Sequence, residues 1–105
     1  MVAQVILAIT SGPGTGQQYV FAERTTALIG REDECHIRFP KDKDHQTVSR
    51  HHCLLEVHDN YANLKDLDST NGTFFEEERV RAAMLQDGAE FRIGNSVIRF
   101  TLAPK

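Results

Sequence analysis

The sequence predicts an all-β domain, an antiparallel β-sandwich, and three observations carry that expectation. No stretch of the 105 residues sustains a helical repeat of apolar positions. Apolar residues alternate with polar ones over short runs, the period of a strand with one buried face. Turn-forming pairs punctuate the runs, among them Asp59-Asn60, Asn71-Gly72, Asp87-Gly88 and Gly94-Asn95.

The strands follow in order. Val5, Leu7 and Ile9 share one face of the first. Ser11-Gly12-Pro13-Gly14-Thr15-Gly16 makes a loop, and Tyr19-Val20-Phe21 resumes the sheet. Thr26 to Ile29 is a third strand, with Ile37 and Phe39 in a short fourth. Pro40 to Val48, with Lys41, Asp42, Lys43 and Asp44, is the longest polar stretch and reads as a surface loop. From His51 a strand carries Cys53, Leu55 and Val57 on one side, turns at Asp59-Asn60, and returns with Ala62 and Leu64 inward. Phe74 follows the Asn71-Gly72 turn, and Val80 and Leu85 mark a short hairpin region after Glu76-Glu77-Glu78. Phe91 and Ile93 lie between two turns, Ile98, Phe100 and Leu102 close the sheet, and Ala103-Pro104-Lys105 reads as the start of a linker.

Composition bounds the function. The length suits one domain over residues 1–105, able to bury its own core and to serve as one module of a larger protein. A formal charge of −3 argues against a protein built to coat nucleic acid or an acidic membrane. The apolar opening from Val2 to Ile9 is too short to span a bilayer and has no positive run before it. Two cysteines far apart, Cys35 and Cys53, fit a reduced, cytoplasmic protein better than a disulfide scaffold.

Three short motifs sit where strand-like segments meet polar ones: Gly30-Arg31, Ser49-Arg50-His51-His52 and Ser69-Thr70-Asn71-Gly72-Thr73. Gathered at one end of a sandwich, they offer guanidinium groups, hydroxyls, a carboxamide and several free backbone N–H groups. That set is nearly all donors, with no base, nucleophile or metal, and it describes a receptor for an oxyanion, phosphate first among them. Competing readings fail on context. Gly12-Pro13-Gly14-Thr15-Gly16 resembles the start of a P-loop, but Gln17 and Gln18 stand where lysine and a hydroxyl are required, and a strand follows in place of a helix. His51 and His52 are adjacent, so a strand points them to opposite faces and no metal site is expected. Ser49 with a histidine and Asp66 or Asp68 lacks the elbow of a hydrolase, so no catalytic residue and no cofactor are expected.

Taken together and in this order, Gly30-Arg31, Ser49-Arg50-x-His52 and Ser69-Thr70-Asn71-Gly72-Thr73-Phe74 resemble the forkhead-associated (FHA) domain family. The likeness continues through Leu85-x-Asp87-Gly88, Phe91-Arg92-Ile93-Gly94 and Ile98-Arg99-Phe100. The resemblance implies a β-sandwich of about eleven strands whose end loops bind phosphothreonine in a partner protein or peptide. It places Arg31 and Ser49 on the phosphate, with Thr70 and the backbone around Arg50 assisting, and Asn71 on the peptide main chain. Gly30, His52 and Gly72 would shape the loops. Glu76-Glu77 stands where the family often has Asn-Gly, which puts the geometry of that turn in question. The reading from a different class is a phospho-independent interaction or oligomerisation domain that uses a sheet face.

Overall fold

The computed structural model describes residues 3–22, 25–41 and 47–104, and among them eleven strands form two stacked sheets with no helix. The strands are β1 (Ala3–Ser11), β2 (Gln18–Ala22), β3 (Thr26–Gly30), β4 (Ile37–Arg38), β5 (Cys53–Val57), β6 (Ala62–Asp66), β7 (Thr73–Phe75), β8 (Glu78–Val80), β9 (Ala82–Leu85), β10 (Glu90–Ile93) and β11 (Ser96–Pro104). One sheet runs β2-β1-β11-β10-β7-β8 and the other β4-β3-β5-β6-β9. No described helix is long and apolar enough to cross a membrane. The polar loop expected over Pro40–Val48 lies partly outside the described residues, and so do Asp42, Lys43 and Asp44.

Alternation in the sequence becomes alternation in burial. Val5, Leu7 and Ile9 point between the sheets, as do Phe91, Ile93, Ile98 and Phe100 from the same layer and Cys53, Leu55 and Val57 from the opposing one. Most of the alternating polar residues face outward, and the inward faces meet in a single core to which β8 adds no buried residue.

Ala103 and Pro104, expected to start a linker, instead end β11 beside Gln4 and Ala3, and two further elements depart from the sequence reading. The sheets are not purely antiparallel: β4 runs parallel to β3, with Ile37 beside Ile29 and Arg38 beside Gly30. The loop after Gly30 doubles back, and His36 donates its N–H to the Leu28 carbonyl at 2.8 Å while its Nδ1 accepts the Leu28 N–H at 3.0 Å. The chain then sets off again beside the strand it has just left. Second, Val80 and Leu85 do not form a hairpin. β8 pairs with β7 in one sheet and β9 with β6 in the other, and the chain changes sheets at Arg81. An odd separation of apolar residues cannot place both on one face of a continuous strand.

The Glu76-Glu77 turn keeps the tight geometry that asparagine and glycine would favour. Both residues lie in the left-handed region, at φ 52° and 66°, the signature of a type I′ hairpin turn. A side chain in that region costs roughly 1–2 kcal/mol per residue, so the turn is held by its flanking strands against its own preference.

Candidate functional site

Each motif closes or opens a strand at the same end of the sandwich, and specific bonds tie one loop to the next. β3 ends on buried Gly30, where an added Cβ would sit 2.1 Å from the Arg50 carbonyl oxygen. With no side chain in the way, that oxygen accepts the N–H groups of Arg31 at 3.0 Å and Glu32 at 3.2 Å, and the Cys35 thiol at 3.4 Å. Arg31, half-buried, donates its Nε–H to the Val48 carbonyl. One edge of the guanidinium is thereby fixed, and among the described residues no carboxylate pairs with the rest. The neighbouring acids are engaged elsewhere: Asp33 by Arg38 at 3.2 Å and Lys41 at 3.5 Å, Glu32 by Lys41 at 3.9 Å, and Glu34 by His51 at 2.7 Å. Among the described residues, what holds Arg31 is the Val48 carbonyl and not a surface ion pair.

The second motif rests on His52, which is fully buried. Its Nδ1 accepts the Ser49 N–H at 3.0 Å and its Nε2 meets the Gly72 carbonyl at 2.8 Å. An acceptor on one nitrogen and a carbonyl on the other require the neutral ring with its proton on Nε2. Burial pushes its pKa down from the ordinary histidine value, helped by Arg79 and opposed by the Gly72 bond and Asp66. The His52 backbone joins in, its N–H bonded to the Ile29 carbonyl at 2.8 Å and its carbonyl to the Leu67 N–H at 3.0 Å. One residue therefore connects β3, the Ser49 loop and the Gly72 turn.

The third loop is built on Asp66. Its carboxylate accepts the Ser69 N–H at 3.1 Å, the Ser69 hydroxyl, and the Thr73 hydroxyl at 2.7 Å. Partial burial pushes the carboxyl up, but the bonds from Ser69 and Thr73 outweigh it and the pKa is lowered. Ser69 Oγ in turn accepts the Gly72 N–H at 3.0 Å, and Gly72 takes φ 94°, a conformation that favours glycine. Thr70 and Asn71 stand exposed above this base. The Thr70 N–H donates to Ser49 Oγ at 3.0 Å, and Asn71 Nδ2 donates to the Thr47 carbonyl at 3.2 Å.

Arg31, Ser49, Arg50, Thr70 and Asn71 are thus brought together at one rim, with Gly30, His52 and Gly72 beneath. One part of the donor inventory differs from the sequence reading. The N–H groups of Arg31, Glu32, Ser49, Thr70 and Gly72 are taken up in holding the loops, so what the rim offers outward is mainly side chains. The glycine-rich Gly12–Gly16 segment is a turn fastened to the start of β11, where Ser96 Oγ donates to the Pro13 carbonyl at 2.9 Å. His51 is exposed on Glu34 while His52 is buried, so the two imidazoles diverge. His52 takes the Ser49 N–H and not its hydroxyl, which is no arrangement for activating a nucleophile. Cys35 and Cys53 are free and buried, and burial pushes both thiols up.

The model of the FHA domain family matches residues 27–94, the span that contains all three motifs. This chain belongs to the FHA domain family. It is similar to the glycogen accumulation regulator GarA of Mycobacterium tuberculosis, with 32% identity over 95% of this chain and 59% of GarA. The chain therefore spans about three-fifths of that relative's length. Two solved FHA domains are similar along nearly their whole length. One comes from work on phosphothreonine-dependent FHA domain interactions, with TM-score 0.80, 32% identity and coverage of 97% of this chain and 99% of that one. The other is the FhaA FHA domain complexed with the intracellular domain of Rv3910, with TM-score 0.76, 33% identity and coverage of 91% and 98%.

Within this FHA domain, two supporting residues lie outside the sequence reading. Asp66 entered it only as a candidate triad member, although an acid three residues before a serine is a recognisable turn signature. Arg79 donates from Nη2 to the Ser69 carbonyl at 3.2 Å and lies against Gly72. No local pattern announces it, because the contact depends on the register that sets Arg79 opposite Phe74.

Proposed function

We propose that this domain is a phosphothreonine-dependent protein-binding module, a signalling adaptor and not an enzyme, acting in the cytoplasm as one module of its protein. Its partner is a threonine-phosphorylated protein or peptide, and it needs no cofactor. Phosphothreonine carries close to two negative charges and three acceptor oxygens. Arg31 answers with the planar fork left after its Nε is fixed, and Ser49 and Thr70 answer with hydroxyls. The backbone at Arg50 adds a donor. Asn71 exchanges the Thr47 carbonyl for the peptide main chain. Gly30, His52 and Gly72 hold these groups in place before the ligand arrives.

One observation carries the reading: three loops distant in sequence are bonded to one another through the residues the phosphate requires. Arg31 reaches Val48, Thr70 reaches Ser49, and Asn71 reaches Thr47. Such preorganisation reduces the cost of ordering donors on binding. Affinity should be micromolar, on the order of −8 kcal/mol. The test is calorimetric titration with one peptide in three forms: phosphothreonine, phosphoserine and unmodified. Phosphothreonine should bind best, its advantage over phosphoserine limited to about the 0.8 kcal/mol of one buried methyl, somewhat more if a cavity is left. Equal affinity for the phosphorylated and unmodified peptides would overturn the proposal in favour of a phospho-independent interaction domain.

A further inference from the structure

We propose that Arg79 is a positioning residue for the recognition loop: its guanidinium, laid across Gly72 and bonded to the Ser69 carbonyl, holds Thr70 and Asn71 in the shape that meets the phosphorylated residue. The proposal rests on the phosphothreonine reading above and adds to it a residue on β8 that stands outside the three motifs.

A single peptide unit joins Arg79 to the recognition loop. The Ser69 carbonyl and the Thr70 N–H belong to one plane and point in opposite directions. The N–H end is bonded to Ser49 Oγ at 3.0 Å, and the carbonyl end to Arg79 Nη2 at 3.2 Å. With both ends held, the plane cannot rotate, and the direction in which Thr70 leaves it is fixed. The remaining polar groups of Ser69 are already bonded to Asp66 and Gly72, so the carbonyl is the group left for Arg79 to hold.

Gly72 makes room for this contact. A Cβ there would stand 2.7 Å from Arg79 Nε, 3.0 Å from Cδ and 3.1 Å from Cζ. The side chain therefore lies flat over the glycine, which serves both the left-handed turn and the approach of Arg79. On the other side of Arg79's strand partner Phe74, Arg92 stacks over the Phe74 ring at 4.1 Å from its centre. The β7–β8 hairpin thus carries Arg79 to the loop on a braced strand.

Arg79 also acts on His52. Among the described residues, the charges that bear on His52 are Asp66 on β6, which favours its protonation, and, more weakly, Arg79 on β8, which opposes it. A neutral imidazole is what lets Nδ1 accept the Ser49 N–H. The same guanidinium therefore supports Thr70 by a bond and Ser49 through charge.

The experiment compares the unmutated protein with Arg79→Ala and Arg79→Lys. Amide exchange at Thr70 and the NMR titration of His52 are measured in the free proteins, and affinity for one phosphothreonine peptide is measured by calorimetry across pH. Arg79→Ala should speed exchange at Thr70, weaken peptide binding about tenfold, the worth of one charged hydrogen bond, and raise the pH at which His52 protonates. Arg79→Lys, which keeps the charge and loses the planar fork, should leave the His52 midpoint in place and restore only part of the affinity. Unchanged Thr70 exchange and unchanged affinity in Arg79→Ala would overturn the proposal, and so would full affinity in Arg79→Lys. Should the alanine variant fail to fold, Arg79→Gln, which keeps the stem over Gly72, carries the same comparisons. If the unmutated protein binds no phosphothreonine peptide, the functional reading fails, while Thr70 exchange and the His52 titration still decide whether Arg79 holds the loop.

Discussion

Strands β5 and β6 are joined at one end and parted at the other, and the two ends are built differently. At the Val57–Ala62 end a short turn closes on itself. The His58 N–H bonds the Tyr61 carbonyl at 2.8 Å, and the two rings stack at 4.7 Å between centres. Those partners are neighbours in sequence. At the Cys53–Asp66 end the fastenings span 17 residues for Arg31 and Val48, 21 for Thr70 and Ser49, and 24 for Asn71 and Thr47. The first end can form from local preferences alone. The second exists only once the sandwich has assembled, and it buries His52, Ser69 and Thr73 with their bonds satisfied. A binding rim made this way is rigid because leaving it partly made is costly. A turn made the other way is free to vary.

The sharpest way to break the comparison is at Arg31. Arg31→Ala should reduce phosphothreonine-peptide affinity by about a hundredfold or more, since at least two charged bonds worth roughly 1.5–3 kcal/mol each are lost. Circular dichroism should find the fold retained, because the bond from Arg31 to Val48 is one of several between the loops. His52→Ala should instead cost stability, about 2–4 kcal/mol by urea unfolding, because the Ser49 N–H and the Gly72 carbonyl are left buried without a partner. The equivalent change at the far end, His58→Ala, should leave peptide affinity unchanged.

Acid should loosen the rim before the rest of the sandwich. His52 and Asp66 both have folded pKa values below their ordinary 6.5 and 3.8, so the unfolded chain binds protons more readily at each. The stabilisation from His52 is fully present above the ordinary histidine value and is lost as pH falls through the lowered folded one. That from Asp66 is lost in the same direction, further into acid. Unfolding free energy measured from neutral pH downward should decline by at most about 1.4 kcal/mol per pH unit for each proton taken up. Peptide binding should fade below about pH 6 as the phosphate takes its second proton.

Much of this was legible in the sequence because the strands alternate cleanly and their turns carry glycine, asparagine and aspartate. The rim motifs were legible as residue types: Gly30 ends β3, and Ser49, Thr70 and Asn71 lie in the loops that lead into β5 and β7. The parallel β4 was not, because two residues are too few to show a direction. The sheet change at Arg81 was signalled only by the odd spacing of Val80 and Leu85, since both are equally apolar in either sheet. Arg79 was hidden for a third reason, since its partner is chosen by hairpin register and not by spacing.

The smallest expected effect concerns the Glu76-Glu77 turn, which lies away from the rim. The double substitution of Glu76→Asn with Glu77→Gly removes two left-handed glutamates and should stabilise the domain by about 1 kcal/mol in urea unfolding. Peptide affinity should not change. If it did, the hairpin would be part of the binding surface and the division between the two kinds of region would blur.

The most direct test of the whole account is a two-dimensional amide NMR titration of the protein with a phosphothreonine peptide and with its unmodified twin. The phosphorylated peptide should shift the amides of Arg31, Ser49, Arg50, Thr70 and Asn71 and leave His58 to Tyr61 where they were, while the unmodified peptide shifts neither. Shifts concentrated at the His58–Tyr61 end, or the same shifts from both peptides, would contradict it.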